Sequence, residues 1–200
     1  MNNKLIIILF TVALVNCSFK SGKIKDELKE ISVSQALYQE EQVSNVLEKK
    51  NLLGGKLIVE LPNGFDLMSK EMLASKYPAS NRPTIVYTNK QGSINFAFNH
   101  TFNDIPKDKL PEVLPAFVGQ FNSIYPQIKW IKKEVEKING KDFIILEFIT
   151  PAIDSKIYNI MYVTVLEGRM LMCSFNCLEY QRNEWEAKAK KSLNSVVINE

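Results

Sequence analysis

NGKDFIILEFITPAIDSKIYNIMYVTVLEGRMLMCSFNC, residues 139–177, decides the fold. It opens on Asn139-Gly140, a strong two-residue hairpin signal, because both positions accept a positive φ. Three apolar runs follow, at 143–150, 157–166 and 170–177, separated by the turn formers of 151–155 and by Glu167-Gly168. Runs of this length, rich in Ile, Val, Phe and Tyr, read as strands. Ile144, Leu146 and Phe148 alternate with Phe143, Ile145 and Ile149, so both faces are apolar. Strands of that kind lie at the centre of a sheet covered on both sides.

Outward from this centre, Ile128, Trp130 and Ile138 bracket the charged run 132–137, which predicts an edge strand whose lysines oppose edge-to-edge aggregation. Leu110, Val113, Leu114, Phe117, Phe121, Ile124 and Tyr125 recur every three or four residues and predict a helix from about Asp108 or Leu110 to Pro126. Pro111 suits its first turn; Pro115 removes one backbone hydrogen bond. A second helix is expected from about Glu179 to Ser195, with Trp185, Ala189, Ser192, Leu193 and Val196 on one side. Residues 84–88 and 93–99 pair around Asn89-Lys90-Gln91-Gly92, with Ile94, Phe96 and Phe98 on one face and Asn95, Ala97 and Asn99 on the other. Leu57, Val59 and Leu61 give a first strand closed by Pro62-Asn63-Gly64. Ser69 caps a short helix that Pro78 stops. Together these elements predict an α+β sandwich, a mainly antiparallel six- to seven-stranded sheet between helices, with no internal repeat.

The N-terminus reads as a targeting segment. A short basic region ending at Lys4 precedes eleven uncharged residues, 5–15, too few for the about 20 that span a bilayer. That run is the apolar region of a secretory signal. It closes on Leu14-Val15-Asn16-Cys17-Ser18, which resembles the lipobox of bacterial lipoproteins, in which the cysteine is lipidated and becomes the new N-terminus. Leu14 and Cys17 fit; Asn16 departs from the small residue usual there. The expected organisation is a signal peptide over 1–16, a lipidated tether over 17–53, partly helical or disordered, and a globular domain over 54–200. Several acyl chains anchor far more strongly than one. The expected place is the bacterial envelope, exported and tethered to a membrane.

The 200 residues carry 25 basic and 22 acidic side chains, a net +3. This near balance, with the lysine clusters at 129–137 and 188–191 interleaved with glutamates, excludes a nucleic-acid partner.

Leu61-Pro62-Asn63-Gly64-Phe65, the short helix through Lys76-Tyr77-Pro78, the hairpin through Phe98-Asn99-His100, the Pro115-bearing helix, and Cys173-Ser174-Phe175-Asn176-Cys177 before a Trp-containing helix resemble the PsbP-like superfamily. Its fold is shared by a Ran-binding nuclear-import factor and envelope lipoproteins of the DcrB type. The resemblance spans 55–198 and rests on the order of elements. It implies binding or assembly without catalysis, by analogy of fold.

His100 is the only histidine, and no His, Cys or acidic spacing suits a metal or calls for a cofactor. No nucleophile elbow or phosphate-cradling loop is present. Cys173 and Cys177 share a strand face about 13 Å apart at 3.3 Å per residue, too far for a disulfide, and read as buried apolar thiols. The alternative from the enzyme class is a thiol-dependent hydrolase or transferase pairing Cys173 or Cys177 with His100. Another is a chaperone for apolar segments of exported proteins, which requires an exposed apolar groove. For the leading reading, binding of an envelope protein or a small ligand, the candidate recognition residues are Tyr77, Arg82, Asn95, Asn99, His100, Asp154, Asn159 and Asn176.

Overall fold

A computed structural model describes residues 46–78 and 82–199. The expected signal segment, Cys17 and the expected tether up to residue 45 lie outside the described residues. Ten strands are described: β1 (Leu47–Leu52), β2 (Leu57–Pro62), β3 (Asp66–Leu67), β4 (Ile85–Thr88), β5 (Asn95–Asp104), β6 (Lys129–Ile138), β7 (Lys141–Pro151), β8 (Lys156–Leu166), β9 (Arg169–Leu178) and β10 (Val197–Ile198). The helices are α1 (Lys70–Lys76), α2 (Leu110–Ile124) and α3 (Arg182–Asn194).

The main sheet has seven strands in the order β3-β4-β5-β9-β8-β7-β6, every neighbour antiparallel. The expected α+β class and central hairpins are therefore present. Asn139 and Gly140 take φ values of 48° and 83°, the left-handed pair that a two-residue hairpin requires. Glu167 and Gly168 repeat the device at 51° and 73°. β6 is the lysine-rich edge strand, with a register shift between Trp130 and Lys132.

Two expectations need correction. The tether was expected to run to residue 53, yet β1 pairs along the whole length of β2, Leu47 opposite Pro62 and Leu52 opposite Leu57. Its polar sequence hid it: β1 is an edge strand in which Lys49 and Asn51 are exposed, Glu48 and Lys50 are half-buried with Lys50 over the Tyr87 ring, and Leu52 enters the core at 6% exposure. The strand around Val59 was expected in the main sheet. Instead β2 is the middle of a second, three-stranded sheet with β1 and β10.

That small sheet and α3 cover one face of the main sheet. Leu57, Val59, Leu61, Trp185, Ala189 and Leu193 pack there on Phe96, Phe98, Phe143, Tyr158, Cys173 and Phe175. The other face carries α2 on its β6–β9 half, with Phe117 and Phe121 against Leu146, Phe148, Met161 and Met172. On the β4–β5 half lies α1, where Met72, Leu73 and Tyr77 pack against Val86 and Ala97. Ser69 caps α1 by accepting a hydrogen bond from the Met72 amide at 3.1 Å.

Candidate functional site

Because side chains alternate along a strand, registered residues on neighbouring strands stand side by side on one face. On the face shared by α1 and α2, Thr88 of β4 is opposite Asn95 of β5. Asn95 is opposite Asn176 of β9, Asn176 is opposite Asn159 of β8, and Asn159 is opposite Phe148 of β7. Three of the expected recognition residues therefore form one polar row across the sheet.

The row is hydrogen-bonded from Thr88 through Asn95 to Asn176, and Asn159 bonds separately to its own neighbours. The Thr88 hydroxyl donates to Asn95 Oδ1 at 2.7 Å, and Asn95 Nδ2 donates to Asn176 Oδ1 at 3.0 Å. Asn159 Nδ2 donates to the Thr150 hydroxyl at 3.2 Å and to the Ile157 carbonyl at 3.0 Å. Asn95 and Asn176 are buried, at 1% and 6% exposure, whereas Asn159 is half-buried. Tyr77 reaches the same row: burial pushes its hydroxyl up to about 12, with the Asn176 side chain working against that shift.

A cavity beside the row is lined by Phe121, Tyr125, Phe148, Thr150, Asn159 and Asn176, among others. The room it leaves for the centre of a water molecule is about 20 Å³. That holds a water, for which about 10–15 Å³ suffices, and is far from an organic ligand. The row forms a fixed polar floor, and Asn159 is its opening to solvent.

The remaining expected residues do not join this row. Asn99 is on the same face further along β5, opposite Met172; its Oδ1 accepts from the Thr84 hydroxyl at 3.0 Å, and its buried Nδ2 has no hydrogen-bond partner among the described residues. His100 turns to the opposite face, where Nε2 meets the Leu166 carbonyl at 2.9 Å. Arg82 and Asp154 are exposed, Asp154 in the β7–β8 turn. The proposed eight-residue surface is thus reduced to Tyr77, Asn95, Asn159 and Asn176 in contact or register, with Asn99 nearby.

Composition gave no sign of Thr88 and Thr150. Their signal was positional, since Thr88 ends β4 and Thr150 stands next to the end of β7, on the face that Asn95 and Asn159 share.

The thiols leave little for nucleophilic chemistry. Cys173 and Cys177 are free and buried, at 0% and 1% exposure, and burial pushes both up to about 12. A thiol held there is almost wholly protonated at neutral pH, and neither side chain reaches the surface. Among the described residues no group of three or more His, Cys, Asp or Glu is placed to hold a metal ion.

No family model and no curated protein sequence matches the chain. Solved structures do. The solution structure of cyanobacterial PsbP from Synechocystis superposes with a TM-score of 0.57 at 16% identity, covering 76% of this chain and 92% of that one. LpqN of Mycobacterium tuberculosis, described as involved in cell envelope biogenesis, gives 0.52 at 11% identity over 80% of this chain and 95% of its own. A Bacteroides thetaiotaomicron protein gives 0.51 at 10% identity, with 76% of this chain matched to 48% of that chain. At these identities the likeness is one of fold, and it agrees with the strand order and helix placement derived above: the chain folds as a PsbP-like domain.

Proposed function

We propose that this protein is a lipid-anchored component of the bacterial cell envelope whose PsbP-like domain binds a partner protein without catalysing a reaction on it. The observation that carries the reading is the amide row Asn95–Asn176–Asn159, rigidly bonded at its buried end and open at Asn159. A pre-ordered polar row loses little entropy when its open end meets another polar chain. The water-sized cavity favours a protein surface over an enclosed small molecule. The buried, protonated thiols favour binding over thiol chemistry.

The envelope assignment rests on the leader and on the lipobox-like Leu14-Val15-Asn16-Cys17. The fold it shares with LpqN, a protein of cell envelope biogenesis, is consistent with it. No described helix is long and apolar enough to cross a membrane, so retention there is assigned to lipid on Cys17.

The test places a photo-crosslinking amino acid at Asn159 of the full chain in living cells, with Lys137 at the far end of β6 as control. A reproducible protein adduct at 159 that is absent at 137 is expected. Equal labelling at both positions, or none at 159, overturns the binding site. Cys17→Ala is expected to move the chain out of the membrane fraction and abolish fatty-acid labelling; retention without label overturns the anchor.

A further inference from the structure

Two hydrogen-bonding groups at the open end of the polar row have no counterpart among the described residues, and both belong to residues that line the cavity. Asn159 Nδ2 donates to the Ile157 carbonyl at 3.0 Å and to the Thr150 hydroxyl at 3.2 Å. A carbonyl only accepts, so the nitrogen of this side chain is fixed on that side, and Oδ1 is left as an acceptor on which no described donor is placed. The Thr150 oxygen is engaged as an acceptor, and its own proton meets no described acceptor. Thr150 is 7% exposed, a depth at which an unused donor is costly.

The rest of the lining selects what can enter. Phe121, Tyr125 and Phe148 supply aromatic walls, the Phe121 and Phe148 ring centroids standing 4.9 Å apart, and no lining residue carries a charge. A carboxylate or an ammonium would be buried there without a counter-ion, which is strongly disfavoured. The entering group must therefore be neutral and offer both a donor and an acceptor. Space narrows the choice further. The room of about 20 Å³ for atom centres exceeds the about 10–15 Å³ that one water needs, so a single hydroxyl oxygen leaves it part-filled. A main-chain peptide needs a passage for the chain on both sides. A side-chain carboxamide enters end-on with its oxygen and nitrogen alone. It also repeats the join already present where Asn95 Nδ2 donates to Asn176 Oδ1 at 3.0 Å.

We propose that this cavity is a subsite for a primary carboxamide, the side chain of an Asn or Gln on the partner, whose oxygen accepts from the Thr150 hydroxyl and whose N–H donates to Asn159 Oδ1. The inference rests on the protein-partner reading above for the bearer of the amide, and adds the chemistry that the cavity selects.

The experiment uses the full chain, extracted from membranes in detergent and isotope-labelled for NMR of its side-chain amides and threonine methyls. It is titrated with acetamide, N,N-dimethylacetamide and acetate. Acetamide is expected to give saturable shifts of the Asn159 amide and the Thr150 methyl, with an affinity roughly ten-fold above the other two, because dimethylacetamide has no N–H for Asn159 and acetate brings a charge. Thr150→Val is expected to lower the acetamide affinity by roughly five-fold with the Asn95 amide signals unchanged, and Thr150→Ser to retain it. The comparison of the three compounds is made on the wild type, so it does not depend on how the variants fold. No saturable shift, equal affinity for the three compounds, or undiminished binding to a folded Thr150→Val chain overturns the subsite. In cells, p-benzoylphenylalanine in place of Ile153, 90% exposed in the turn after Thr150, captures the partner for sequencing. An Asn or Gln close to the adduct is expected; a captured peptide with neither overturns the assignment to a partner side chain. A protein adduct without preference for acetamide overturns the subsite alone. Preference for acetamide without a protein adduct overturns the partner reading, and the subsite stands.

Discussion

Asn95 and Asn159 belong to the same row, and their different burial gives them different weights. Asn95 accepts from Thr88 and donates to Asn176 at 1% exposure. Asn95→Ala leaves the buried Asn176 carbonyl oxygen without that donor and the Thr88 hydroxyl without that acceptor, at a cost of about 1–3 kcal/mol. Asn159 is half-buried, so after Asn159→Ala water replaces its partners and the loss is about 0.5 kcal/mol or less. Urea unfolding of the two variants checks the ordering; equal losses would mean that the row is sealed at both ends. Crosslinking yield from the partner, by contrast, should fall more with Asn159→Ala. The candidate site was legible to this extent: residues of one polarity were visible at strand positions. Which of them share a row was not visible, because register between strands distant in sequence depends on tertiary pairing. Asn95 and Asn176 are 81 positions apart.

Helix α3 is fixed to the sheet by charge as well as by Trp185 and Leu193. Glu147 of β7, with its side chain 2% exposed, accepts from the Tyr158 hydroxyl at 2.8 Å, Arg182 at 3.3 Å and Lys190 at 2.9 Å. Glu186 bridges the same two cations from the helix itself. Both cations are about one-third exposed, at 29% and 37%, and reach water if Glu147 is neutralised. Glu147→Gln should therefore cost about 1–2 kcal/mol. Arg182→Met with Lys190→Met strands a buried carboxylate and should cost about 3–5 kcal/mol. A neutralised carboxyl costlier than the double removal would show that α3 is not held in this way. Burial pushes the Glu186 carboxyl up, but hydrogen bonds from Lys190 and Arg182 outweigh it and hold the group below its ordinary value. Its contribution to stability is thus complete above the unfolded carboxylate value of about 4.3 and is lost as pH falls through the lower folded value. Urea midpoints measured from pH 3 to 6 should show this acid loss in the wild type and a flatter profile in Glu186→Gln. At the other termini of α3 and its neighbours, Asn139 was readable as a turn former only. Its side chain also donates to the Asn194 and Val196 carbonyls at 3.0 and 2.8 Å, a helix-end contact that no local pattern announces.

For the whole molecule, the sequence was informative where periodicity was strong and uninformative where polarity masked a strand. The alternation in β7, β8 and β9, the stripe of α2 and the hairpin at Asn139-Gly140 were all readable. The division into two sheets was not, because Leu57, Val59 and Leu61 carry the same alternation whichever sheet β2 joins. β1 was unreadable for the opposite reason, since Glu48-Lys49-Lys50-Asn51 has the composition of a tether. That difference sets where the folded unit begins. β1 pairs with all six residues of β2, and Leu52 closes the core under Leu57. A chain beginning at Gly54 would keep every element read from the sequence, yet lose the outer strand of the small sheet and expose the β2 edge. Losing one buried leucine and its neighbouring apolar contacts costs about 3 kcal/mol, and the freed edge invites intermolecular pairing. Relative to one beginning at Val46, the Gly54 chain should unfold at lower urea and associate in sedimentation velocity as concentration rises. Equal midpoints and a monomeric Gly54 chain would return residues 46–53 to the tether.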